Sequence, residues 1–199
     1  MEDSTEPVNW YKITPIVILC IISIFIFLIV LIIGLNTRNP TGSTTIKSNE
    51  IVAPSYGYIS KICNLGDQYK IVIKLHPFDV HTQYYPMLGT VVDHQHHNSN
   101  IFNAIFVNKD DKTMYNEKTK HIISNRFGHI ITEQIAGYLF RKIRYNNMKN
   151  QPVNAGDYLG KIDFGSQVDL TFPSKNCILA CHQGQKVKGG HTILGSYMT

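Results

Sequence analysis

The hydrophobic positions of this chain fall into two patterns. From Ile16 to Leu35 they form one unbroken apolar run without a charge. At helical rise those twenty residues cover about 30 Å, the hydrocarbon thickness of a bilayer. Pro15, just ahead, suits a first helical position. A secretory signal peptide is the competing reading, but its apolar region is shorter, its start basic and its end marked by small residues. Here the start is the acidic "MEDSTEP" and the span runs into "NTRNP", so the expectation is a retained single-pass anchor. From Ile51 onward the apolar positions come in short runs instead: "IVAPSYGYISKI", "QYKIVIKL", "MLGTVVD", "IFNAIFV", "KHIIS", "HIITEQI", "YLGKIDF", "SQVDLTF" and "TILGSY". Gly, Asn, Asp or Pro punctuates most of the gaps, which is the signature of an all-β sandwich or barrel. In "SQVDLTF", Val168, Leu170 and Phe172 alternate with polar residues, as a half-buried strand requires. "EQIAGYLFRKIRY" fits a helix or a strand.

The expected organisation is a polar segment over 1–15, a transmembrane helix over 16–35, a tether over 36–50 and a mainly β domain over 51–199. The tether "NTRNPTGSTTIKSNE" is rich in Gly, Pro, Ser and Thr and has no core-forming pattern. Lys12 flanks one end of the span; Arg38 and Lys47 flank the other. That asymmetry leans weakly towards a cytosolic C-terminal domain.

Charge adds a partner class. Residues 36–199 carry 18 Lys/Arg (19 less Lys12) and 11 Asp/Glu (14 less Glu2, Asp3 and Glu6), a net +7 with histidines neutral. A basic domain tied to a bilayer is drawn to anionic head groups. No Arg/Lys-rich helix or nucleic-acid motif supports the other usual partner of basic domains. The four cysteines do not make a disulfide framework. Cys177, Cys181 and His182 have a spacing that could hold metal, but three ligands are too few for a structural zinc site, and buried thiols are the plainer reading. "DHQHH" (Asp93–His97) is the second cluster with metal-ligating side chains; a polar hairpin loop between two strand runs is the expectation there. No metal site is expected.

Four segments in one order resemble the phosphatidylserine decarboxylase proenzyme family in its short form: "LHPFDVHTQYYPMLGTV" (Leu75–Val91), "TEQIAGYLFRKI" (Thr132–Ile143), "AGDYLGKIDFGSQVDLTFP" (Ala155–Pro173) and "GQKVKGGHTILG" (Gly184–Gly195). The resemblance implies that the chain cuts itself between Gly165 and Ser166. Ser166 then becomes a pyruvoyl group, the self-derived cofactor that decarboxylates phosphatidylserine to phosphatidylethanolamine. It also implies that the two products, 1–165 and 166–199, stay associated; a homo-oligomer is left open. Glycine suits the cut, having no side chain to block attack on its carbonyl. His81 occupies the histidine of the family's "FDVH" and has an intrinsic pKa near working pH, so it is the candidate for proton transfer. Asp79 would share its face if the run is extended, and could orient the imidazole or simply solvate a turn. The segments "GYISKICNLGDQYK", "VNAGDYLGKI" and "GQKVKGGHTILG" also look like hairpins of the β-hammerhead kind, without the modified lysine tip of carrier modules.

The chain departs from the family pattern at one position that matters for chemistry. Active members carry an aspartate where "VAPSYG" has Tyr56, and that aspartate supports the base that starts self-cleavage. Tyrosine supplies no such negative charge near neutral pH. Tyr84 stands where long-form members have a second histidine, Gln167 replaces a commonly basic residue, and "YNEKTK" keeps Asn116 and Glu117 of an acidic-asparagine motif. His129 and Glu133 are the candidate substitutes for the missing carboxylate. Three functions follow: a membrane-anchored lyase, a non-catalytic relative that binds anionic lipid, and a membrane-anchored β-hammerhead adaptor. The last lacks a region long enough for the helical hairpin such adaptors carry.

Overall fold

The computed structural model describes residues 10–36, 45–98, 117–137, 142–146, 148–162 and 167–198. They form two units, one ending at Leu35 and one beginning at Asn36.

The first unit is a helix, α1 (Trp10–Asn36). Its stretch Thr14–Gly34 has a mean hydropathy of 3.8 and exposed side chains, so by length and composition it can cross a membrane. The helix starts earlier than the apolar run, and Pro15 therefore lies inside it rather than at its first position. A proline there leaves one backbone carbonyl of the preceding turn without its helical donor.

The second unit is mainly β. In chain order its strands are β1 (Glu50–Val52), β2 (Gly57–Asn64), β3 (Gln68–Lys74), β4 (Thr82–Tyr84), β5 (Gly89–His97), β6 (Lys118–Asn125) and β7 (Gly128–Ile135), then β8 (Ile143–Tyr145), β9 (Pro152–Val153), β10 (Tyr158–Ile162), β11 (Gln167–Pro173), β12 (Cys177–Leu179), β13 (Lys186–Val187) and β14 (Ile193–Tyr197). Eight of them, in the order β13-β2-β3-β11-β7-β6-β5-β9, make a curled antiparallel half-barrel. Among the described residues, two three-stranded sheets, β1-β14-β12 and β4-β10-β8, accompany it.

Alternation decides which face each strand buries. Leu170 and Phe172 of β11 join Ile71 and Ile73 of β3 and Ile130 of β7 in the main core, all essentially without solvent exposure. The alternate residues Gln167 and Asp169 face the other side of the sheet, where they line a groove. A second, smaller apolar cluster joins Leu75, Ala136, Ile143, Ile162 and Val168. It lies where β10 ends and β11 begins, on either side of residues 163–166.

Two sequence expectations are corrected. "DHQHH" is not a hairpin loop but the second half of β5, paired with β6 from His94↔His121 to His97↔Lys118. A register shift between Val91 and Asp93 turns His94 and His96 to the side of His121 and Thr119, whose polar groups receive them. Of the three hairpin-like segments, "GYISKICNLGDQYK" is one, β2 pairing with β3 through a turn where Gly66 has φ 89°. The strands of the other two pair elsewhere: β13 with β2 and β14 with β1 and β12, β9 with β5 and β10 with β4 and β8. "EQIAGYLFRKIRY" opens as the end of β7 and closes as β8. The run "IFNAIFV" lies outside the described residues.

Candidate active site

His81 follows the turn that closes β3 and precedes β4. That turn is built locally. The Asp79 carboxylate accepts the His76 N–H at 2.8 Å, and the Asp79 N–H donates to the His76 carbonyl at 2.9 Å. The run is thus a turn, not a strand, and the Asp79 carboxylate caps it. What orients the imidazole is the Asp79 backbone carbonyl, 2.7 Å from His81 Nδ1. A carbonyl can only accept, so Nδ1 carries the proton and the basic lone pair sits on Nε2. His81 is completely buried. Its own carbonyl accepts the N–H of Ile162 at 3.2 Å, the last described residue before the Gly165–Ser166 bond. The bond itself, with both candidate residues, lies outside the described residues.

Behind His81 the interior of the half-barrel is polar. Gln83, Thr119, His121, Thr132 and Gln134 are all buried. Gln83 Nε2 donates to the His81 carbonyl at 2.7 Å, and Gln134 Nε2 donates to Gln83 Oε1 at 2.9 Å. His121 Nε2 is 2.7 Å from Gln134 Oε1, and its Nδ1 is 2.6 Å from His94 Nδ1. Tyr145 packs against both imidazoles, ring centroids 5.2 and 5.5 Å away. Burial drives the His121 pKa down to about 3 despite its bond to Gln134, and burial also lowers that of His94. Both shifts favour the neutral form of the ring.

The opposite face of the sheet carries an open groove of about 420 Å³ beside the start of β11, lined by Lys61, Lys70, Lys118, Glu133, Gln167 and Asp169 among others. Lys70 Nζ lies 2.7 Å from Asp169 Oδ2, and Gln167 Nε2 donates to Asp169 Oδ1 at 2.7 Å. Burial is the largest single effect on the Lys70 pKa and lowers it, but the bond and charge of Asp169 together with nearby Glu133 and Cys63 outweigh it and raise the pKa. Glu133 therefore stands in this groove, on the opposite face of β7 from the buried Gln134. His129 lies at the other end of β7, opposite Ser124, away from the start of β11.

Tyr56 and Tyr84 sit together, ring centroids 6.5 Å apart. Burial, helped by Tyr56 and Tyr158, pushes the Tyr84 phenol up to about 12. Its ring closes over Gly189 and Gly190, where an added Cβ would come within 2.9 and 3.2 Å of it.

Residues 38–195 match the family model described as phosphatidylserine decarboxylase. The chain belongs to the phosphatidylserine decarboxylase family. It is 33% identical over 166 residues to the phosphatidylserine decarboxylase proenzyme of Chlorobium phaeobacteroides, covering 80% of this chain and 76% of that one. It is 30% identical over 171 residues to the proenzymes of Rickettsia bellii and Rickettsia africae, covering 80% of this chain and 72% of each of those. The family match runs from the tether to β14, so the whole β unit is the family's domain.

Within this phosphatidylserine decarboxylase domain, Glu117 of the retained Asn116-Glu117 pair joins two strands. Its carboxylate accepts the Ile143 N–H at 3.1 Å, and its carbonyl accepts the Ala136 N–H at 2.9 Å. Cys177 and Cys181 are half-buried thiols whose pKa values burial raises, which suits inert packing. No group of three metal-ligating side chains occurs among the described residues. The buried run from Gln83 to His94 had no motif to announce it. The signals present were Gln134 on the inward face of β7 with Ile130 and Thr132, and the alternation of His94 and His96.

Proposed function

We propose that this chain is a membrane-anchored phosphatidylserine decarboxylase that matures by cutting itself at Gly165–Ser166. The observation that carries the reading is the fixed tautomer of His81. The imidazole is buried and held by a backbone carbonyl with its lone pair on Nε2, and the His81 main-chain carbonyl accepts the Ile162 N–H of the strand that leads into the cut. The Ser166 hydroxyl attacks the Gly165 carbonyl while its proton passes through His81 to the departing Ser166 nitrogen, giving an ester. A base then takes the Ser166 Cα proton, and the Gly165 carboxylate leaves as the end of the first chain. Water adds to the resulting dehydroalanine as ammonia departs, leaving a pyruvoyl carbonyl at the start of the second chain.

The residues present fit such a group. Leu75, Ala136, Ile143, Ile162 and Val168 form an apolar cluster that includes described residues on either side of 163–166, and apolar surroundings of that kind would keep water from the carbonyl. A pyruvoyl group supplies the electron sink for decarboxylation without an external cofactor. His81 remains placed to hold or return a proton. Orientation of His81 by a backbone carbonyl supports maturation without the aspartate that Tyr56 replaces.

The two products stay together in this reading because β11 pairs with β3 on one side and β7 on the other, while β14 pairs with β1. Helix α1 holds the site at the bilayer and raises the local lipid concentration.

The neutral Tyr56–Tyr84 pair favours a second reading, a family member that binds anionic lipid without chemistry. Intact mass spectrometry of the full chain in detergent separates the two. The proposal expects two fragments split at Gly165–Ser166, the smaller one labelled at its new carbonyl by hydroxylamine. A single unbroken chain after prolonged incubation selects the second reading.

A further inference from the structure

The polar interior of the half-barrel forms one continuous line of hydrogen bonds whose two ends are fixed by the backbone. At the rim, the Met148 N–H donates to His94 Nε2 at 3.3 Å. At the inner end, Gln83 Nε2 donates to the His81 carbonyl at 2.7 Å. A backbone N–H only donates and a carbonyl only accepts, so every proton between them is assigned. His94 Nε2 accepts, hence its proton is on Nδ1 and points at His121 Nδ1, 2.6 Å away. His121 Nδ1 therefore accepts, and its proton is on Nε2, donated to Gln134 Oε1 at 2.7 Å. The Gln134 amide passes the direction on to Gln83 Oε1 at 2.9 Å. Five bonds in series run the same way, through three side chains exposed by 1% or less.

We propose that His94, His121, Gln134 and Gln83 are positioning residues, a one-directional relay that sets the place of His81 for maturation. The inference rests on the function proposed above. Buried polar groups need partners in any protein, but the line here converges on a single functional atom. The His81 carbonyl that receives the Gln83 amide also receives the Ile162 N–H at 3.2 Å. The base and the strand leading to Gly165–Ser166 are thus fastened to one oxygen, and the relay fixes where that oxygen stands. Room for it is built in. A Cβ on Gly160 would lie 2.5 Å from the Arg144 carbonyl and 3.0 Å from Gln134 Nε2, so a side chain there would push Gln134 out of line. The one-proton axis between His94 and His121 also needs both rings neutral, since two protons cannot share a 2.6 Å gap.

The test is nitrogen-15 NMR of the full chain, labelled on histidine, in detergent micelles, alongside the time course of chain cleavage. The expected wild-type tautomers are Nδ1–H for His94 and Nε2–H for His121. In Gln134→Met and, as an independent second variant, Gln83→Met, the His81 ring signals shift or broaden and cleavage slows at least tenfold. Tyr197→Phe removes a buried hydrogen bond to the Pro173 carbonyl elsewhere in the core and leaves both readouts unchanged. The opposite His121 tautomer, or His81 signals unmoved in both variants, overturns the relay. Unchanged cleavage in variants whose His81 signals do move overturns its part in maturation. A wild-type chain that never cuts refutes the proposed function instead, and the histidine signals still decide the relay.

Discussion

His81 takes its orientation from a backbone carbonyl, and this bears on what Tyr56 costs. A carboxylate partner stabilises a histidine's charged form; a carbonyl fixes the tautomer with less of that stabilisation. In the maturation proposed above, a base so held starts the cut more slowly than one supported by aspartate. Replacing Ser166 by Ala removes the proposed nucleophile and the proposed pyruvoyl precursor together. The full chain then stays whole and releases no carbon dioxide from phosphatidylserine vesicles, while co-sedimentation with those vesicles is unchanged. Gly160→Ala tests the packing around Gln134. The added methyl meets the Arg144 carbonyl, an overpacking clash worth about 1–3 kcal/mol, read as a lowered urea midpoint with an unchanged slope.

At the scale of the element, β11 joins the two faces of the sheet. Its inward residues build the core, and its outward residue Asp169, 4% exposed, is paired with Lys70 and Gln167. Asp169→Asn leaves the Lys70 charge half-buried without its counterion and should destabilise the domain by about 1–3 kcal/mol. Replacing both partners by apolar residues, Asp169→Leu with Lys70→Met, should recover most of that loss, because the uncompensated charge goes with the pair. Chemical denaturation of the three variants checks the order. If the double variant is the least stable, the pair contributes more than its own desolvation costs.

At the scale of the molecule, the buried histidines make stability depend on pH. The folded-state pKa of His121 is about 3, below its unfolded value near 6.5. Below pH 6.5 the unfolded chain binds a proton that the folded chain refuses, so stability falls on acidification. The limit is about 1.4 kcal/mol per pH unit from this group, continuing until the folded pKa is reached. His94, lowered in the same direction, adds to the slope. His121→Gln should flatten the curve between pH 6 and 4 by roughly that slope. An unchanged curve would mean that His121 is charged in the folded state. The net charge of +7 beyond the span makes a separate forecast. Binding of the Ser166→Ala chain to anionic vesicles should weaken as salt rises, and little to neutral ones.

Much of this was legible without coordinates, for a reason that differs by feature. The apolar run is a composition signal, and a bilayer responds to composition. The alternation in "SQVDLTF" is a face signal, and one buried face is enough to make a strand. His81 and the Gly165–Ser166 bond could be singled out as candidates because "FDVH" and "FGS" are local motifs, and of the two the structure describes only His81. What the sequence could not determine is which faces meet. "DHQHH" reads as a loop until β6 supplies His121 and Thr119 as partners. Asp79 reads as a candidate to orient the imidazole until the turn takes its carboxylate and offers its carbonyl instead. The relay draws its members from β4, β5, β6 and β7, far apart in the chain. Hydrophobic periodicity is a property of neighbours in sequence; a hydrogen bond between Gln83 and Gln134 exists only once strand pairing and curvature have brought the two together.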